Sequence, residues 1–156
     1  MQKHLPFVVL ALLLTGLSTA SREATAFVFS DGMPAECTVD GRAVQEVDAA
    51  SDSALVQRDH VAITKPVGSG YQIQWNARKL AALPPSVHDL IFFHECAHAQ
   101  IPTTDELRAN CVGLKMMRAA GKGGFAVESK LAAFYGRGND YWAKTLKCAD
   151  TDPTPR

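Results

Sequence analysis

His94-Glu95-Cys96-Ala97-His98 sets two imidazoles four residues apart with a carboxylate directly after the first. On a helix, residues four apart lie on the same face, one turn above the other. His94 and His98 can therefore offer two ring nitrogens to a single metal ion, and the residue types suit zinc. Glu95 falls about 100° further round the helix. From there it can take a proton from a metal-bound water without being a ligand itself. A catalytic zinc takes three protein ligands and leaves one position for water. The candidate third ligand is Glu106, eight residues beyond His98 at the start of a second helix. Thr103-x-x-Glu106 also fits a capping box, in which the glutamate only reaches back to a backbone amide. Asn110 is four residues past Glu106, on its face of the helix, where its side-chain carbonyl could accept a hydrogen bond from a ligating histidine.

His94-Glu95-Cys96-Ala97-His98 followed by Glu106-Leu107-Arg108-Ala109-Asn110 resembles the gluzincin branch of the zincin metallopeptidases, in which H-E-x-x-H is followed by E-x-x-A-D or E-x-x-A-N on a second helix. The short gap and the four cysteines are similar to those of small exported bacterial zinc metallopeptidases. The resemblance covers about residues 80–117. It implies that His94, His98 and Glu106 bind zinc, that Glu95 is the general base and that Asn110 supports a ligating histidine. The commoner residue at position 110 is aspartate, and a neutral asparagine supports the histidine less strongly. The resemblance also implies an edge strand above the site that binds substrate in extended form, and Tyr71–Trp75 is the candidate. A donor to the developing oxyanion is expected as well. Tyr135, Arg137, Tyr141 and His88 are available, with Tyr141 preferred.

Cys37, Cys96, Cys111 and Cys148 contain no C-x-x-C pair of the kind that holds structural zinc, and an even number in an exported chain suggests two disulfides. Three connectivities are open. Cys96 and Cys111 fall on the two helices that zinc would draw together, so the expected pairing is Cys96–Cys111 with Cys37–Cys148. Azimuth counts against it, since Cys96 lies about 200° round the helix from His94.

The elements that must hold these residues follow from periodicity and turn chemistry. Residues 27–29 and 36–39 read as extended. Asp40-Gly41 offers a two-residue hairpin turn into a strand at 42–47, and 48–53 reads as loop or weak helix. A short strand at 61–64 and a turn at 65–70 precede the alternating strand 71–75, and one helical turn is expected at 80–83. Helices are expected at 86–100, opening after Pro84-Pro85 and closing before Pro102, then at about 103–120, 126–134 and 140–147. The fold class is α+β: a minimal zincin-like domain with a small N-terminal β-sheet, an active-site helix, a glutamate helix and C-terminal helices.

The chain has 156 residues, 47% hydrophobic and 21% charged, with 16 basic and 16 acidic side chains. That suffices for one domain, expected at 27–150, and the balanced charge argues against nucleic acid as a partner. Lys3, His4 and the apolar run Leu5–Leu17 read as a signal peptide within 1–26. Small residues allow cleavage after Ala20 or Ala26. The run is shorter than the roughly 20 residues needed to span a bilayer, so no membrane span is expected in the processed chain. Residues 151–156 read as a disordered tail. The expected function is an exported zinc metallopeptidase, periplasmic or secreted, acting on a peptide or protein substrate. The alternative is a non-catalytic, zinc-stabilised binding module of the cell envelope.

Overall fold

The computed structural model describes residues 26–50, 53–136 and 138–151. The expected signal segment (except Ala26) and tail (except Thr151) lie outside them. The fold is α+β, with sheets and helices largely segregated along the chain. Asp40 (φ 51°) and Gly41 (φ 73°) form the expected tight turn between β1 (Thr38–Val39) and β2 (Arg42–Ala43). The returning strand breaks at Val44, whose N–H donates to Cys37 O at 2.7 Å. Beyond it, β3 (Gln45–Asp48) leaves the hairpin and pairs in parallel with β5 (Gly70–Trp75). A short helix α1 (Ala54–Gln57) leads into β4 (Ala62–Val67), which pairs antiparallel with the other side of β5.

The sheet order is therefore β3-β5-β4. Tyr71–Trp75 is the central strand rather than an edge, because its inward side chains Ile73 and Trp75 fill the core and both of its sides are paired. The edge strand beside the helices is β4. It also absorbs Lys65-Pro66-Val67, which read as a turn: proline cannot donate to a ladder, but an edge strand tolerates it. The actual turn is Gly68-Ser69.

After α2 (Ala77–Leu80), helix α3 (Pro85–Gln100) runs through the centre of the molecule. Prolines at its start cost it nothing, because first-turn amides have no intrahelical partner. Phe92 and Phe93 join Phe27, Phe29 and Trp75 in an aromatic core, with Phe92 centred 5.0 Å from Phe27 and 5.2 Å from Phe29. Helix α4 (Glu106–Ala119) packs against α3 with unusual closeness. A Cβ on Gly113 would lie 2.8 Å from the His94 backbone N and 2.9 Å from Phe93 C. Only glycine permits that approach. Helices α5 (Phe125–Tyr135) and α6 (Asp140–Thr151) complete the fold.

The cysteines pair Cys37–Cys96 and Cys111–Cys148, not Cys96–Cys111 and Cys37–Cys148. The azimuth of Cys96 explains the difference. It faces away from the histidines, toward the loop before β1, and Cys111 faces α6.

Candidate metal centre

α3 presents His94 and His98 on one face, and the turn at residues 101–105 reverses the chain so that α4 begins opposite them. The cap of α4 is Asp105, whose Oδ1 accepts from Arg108 N at 3.0 Å. Glu106 is thus released from the capping-box role and its carboxylate turns to the histidines. Its Oε2 lies 3.0 Å from His94 Nε2 and 3.6 Å from His98 Nε2, and the two Nε2 atoms are 3.0 Å apart. These three residues form a group that could hold a metal ion, all donor atoms lying within 4.8 Å of one another. For comparison, ligands about 2.0–2.1 Å from a tetrahedral zinc stand roughly 3.3 Å apart.

The far nitrogens fix the protons. His98 Nδ1 sits 2.7 Å from the backbone oxygen of Thr103, which can only accept, so Nδ1 carries the hydrogen. His94 Nδ1 lies 3.3 Å from Asn110 Oδ1. The Asn110 amide is oriented because its Nδ2 donates to Thr145 Oγ1 at 3.0 Å, while that hydroxyl donates to Tyr141 O. With both Nδ1 atoms protonated, both Nε2 lone pairs converge with a carboxylate oxygen. Three acceptors at such separations repel unless a cation lies among them. A proton is the weaker substitute. Burial would depress the His94 pKa, but the Glu106 hydrogen bond and the charges of Glu95 and Glu106 outweigh it and push the imidazole upward. The same hydrogen bond holds the Glu106 carboxyl below its ordinary range.

Glu95 is 6% exposed and points toward β4. The hydroxyl of Thr64 lies 2.7 Å from Glu95 Oε2 and 2.9 Å from Glu95 O. Burial pushes the Glu95 carboxyl above its usual value, opposed by the charges of His94 and His98 and by the Thr64 hydrogen bond. A cavity of about 530 Å³ opens between this group and the edge strand. Ala62, Ile63 and Thr64 of β4 line one side, and Glu95, His98 and Glu106 the other.

Of the residues expected from sequence, His94, Glu95, His98, Glu106 and Asn110 come together. Tyr141 comes near, but its hydroxyl donates to Glu106 O at 2.9 Å, and it does not line the cavity. That contact engages the phenol's one hydrogen at the first turn of α4. His88 packs against Phe27 with its ring tilted and bonds Asp89, Tyr135 stacks on Trp142, and Arg137 lies outside the described residues. Sequence reasoning missed Thr64 and His60. His60 lines the cavity at the mouth of β4, its N–H donating to Leu55 O and its carbonyl accepting from Asn76 Nδ2, both at 3.1 Å. Neither had a local signal, because their positions depend on how β4 pairs.

No family model matches this chain, and no curated protein or solved structure shows significant similarity to it. The function must be read from the site.

Proposed function

We propose that the protein is an exported zinc metallopeptidase whose ligands are His94, His98 and Glu106. The observation that carries the reading is the convergence of three lone-pair donors, each histidine held in the ligating tautomer from behind, with a buried carboxylate beside them. A purely structural site would have no use for Glu95. Zinc bound there would acidify a coordinated water and polarise a scissile carbonyl. Glu95 is the base: burial raises its proton affinity toward the working range of a general base. Thr64 fixes the carboxylate in orientation. The outer side of β4 pairs with no strand among the described residues, so its backbone can hydrogen-bond an extended peptide across the cavity. His60, which lines the cavity, is a candidate donor to charge developing on the substrate.

Two disulfides, and the lack among the described residues of any helix long and apolar enough to cross a membrane, are consistent with an exported protein. The periplasm or the external medium would keep both bridges oxidised.

A second reading, a zinc-stabilised module without turnover, draws support from Tyr141, whose hydroxyl is committed to Glu106 O instead of the cavity. Zinc content and turnover of a peptide library, compared between wild type and Glu95→Gln, separate the two. Wild-type cleavage that vanishes in the variant while zinc remains supports the peptidase. Stoichiometric zinc with no cleavage in either protein favours the module. Absence of zinc from both after reconstitution rejects both.

A further inference from the structure

Outside the candidate metal centre, a second buried carboxylate holds the beginning of the described chain. Phe27 is 4% exposed, and its ring packs 5.0 Å from both Trp75 and Phe92. Its backbone N donates to Glu46 Oε2 at 3.1 Å, and the same oxygen accepts from Trp75 Nε1 at 3.0 Å. Glu46 is 7% exposed on β3. Both of these donors are neutral, and the charge that registers on the carboxyl, that of Glu36, has the same sign as its own. Burial pushes the Glu46 carboxyl up, against the pull of the Trp75 and Phe27 hydrogen bonds. A buried carboxylate without a cation is a costly arrangement. One residue upstream, Ala26 is exposed, and the sequence there reads Ala24-Thr25-Ala26, small residues three and one positions before the 26–27 bond.

We propose that the Ala26–Phe27 bond is the processing site of the exported chain, and that the α-ammonium so created at Phe27 forms an ion pair with the Glu46 carboxylate. The reaction is hydrolysis by an export peptidase that selects small residues. Water adds its oxygen to the Ala26 carbonyl carbon, the C–N bond breaks, and the nitrogen leaves on Phe27 having gained both hydrogens of the water. At neutral pH the products are a carboxylate on Ala26 and an ammonium on Phe27. The nitrogen already lies within hydrogen-bond distance of Glu46, so the pair requires no rearrangement of the fold. Cleavage after Ala20 would instead leave Phe27 with a neutral amide. Because Phe27 is buried, the bond is cut before the domain closes, which suits processing during translocation. The inference rests on the export reading and is independent of the zinc chemistry.

The test is expression of the full chain in a bacterial host with a periplasm, followed by intact-mass analysis and N-terminal sequencing. A mature N-terminus at Phe27 is expected. Export with an N-terminus at Ser21, or elsewhere, overturns the processing site and leaves the export reading standing. An unprocessed chain kept in the cytoplasm overturns both. The ion pair is read separately, by the rate at which an amine reagent labels the α-amine of the mature protein. An ammonium stabilised by one pKa unit has about tenfold less free amine. Labelling at least about tenfold slower in the folded protein than in Glu46→Gln is expected. If the variant does not fold, the same protein unfolded in urea is the reference. Equal rates overturn the pair.

Discussion

Two regions of this molecule each bury a glutamate, and they use it in opposite ways. In the cleft, Glu95 is enclosed by β4 and α3 but stands beside two imidazoles and an open cavity. In the aromatic core, Glu46 is enclosed by Phe27, Trp75 and β3, with hydrogen bonds from an indole and a backbone amide. Burial raises the proton affinity of both. In the cleft, that elevation would serve the proposed role of Glu95, which needs a group able to accept a proton. In the core, the same elevation is a penalty that a cation would relieve. Desolvation alone therefore does not mark a catalytic carboxylate; access and the neighbouring donors do.

The sharpest way to break this comparison is to remove the carboxylate from the cleft. Glu95→Gln should lower kcat by about 10²–10⁴-fold with zinc retained, whereas Glu46→Gln should leave kcat of the folded protein within a factor of a few. Equal losses in the two variants would show that burial and not position matters. Next in size is Glu106→Gln. Zinc affinity, measured by chelator competition, should fall by more than the roughly 10–100-fold usual for an outer hydrogen-bond partner. An unchanged affinity would reduce Glu106 to an exposed neighbour of the histidines. Asn110→Ala should fall within that 10–100-fold range, because it frees the His94 tautomer and also removes the donor to Thr145 Oγ1.

The smallest effect concerns a glutamate that already has its cation. Glu128 accepts from Arg118 Nε at 2.7 Å and Nη2 at 2.8 Å. The Arg118 hydrogen bonds hold its pKa below the ordinary 4.5. A depressed carboxylate pKa contributes stability that is present above about pH 4.5 and lost as pH falls through the folded value. Between pH 6 and pH 3, melting curves of wild type should therefore lose more than those of Glu128→Gln, by no more than about 5 °C. A larger acid loss in the variant would reverse that sign.

The proximity of the candidate metal-binding residues was readable because it depends on one helical period and one short turn. His94, His98, Glu106 and Asn110 are local in sequence, and the α3–α4 turn does the rest. What was hidden depends on partners distant in the chain. The direction of Cys96 was computable, but which element would cover that face was not, so the disulfides were paired with the wrong neighbours. Tyr71–Trp75 alternates as an edge strand would, yet parallel pairing with β3 places it in the middle of the sheet. Thr64 reaches Glu95 only through the register of β4. Helix α5 shows the same limit from the other direction: Phe-Ala-Val-Glu-Ser-Lys-Leu-Ala-Ala-Phe-Tyr is largely apolar, but only Leu131 is buried.

The observed cystine pairing has a topological result. The bridges close residues 37–96 and 111–148 into two covalent rings lying in series, with spans of 59 and 37 residues. Nested bridges, 96–111 inside 37–148, would have enclosed the helix turn within a single ring. In series, the only covalent path from one ring to the other is 97–110, which contains His98, Glu106 and the exposed turn between them. A nick there would split the oxidised protein into two separate chains, whereas a single nick inside either ring would leave one molecule of nearly unchanged mass. A metal bound by His94, His98 and Glu106 would span that one breakable link from both sides, acting as its clasp.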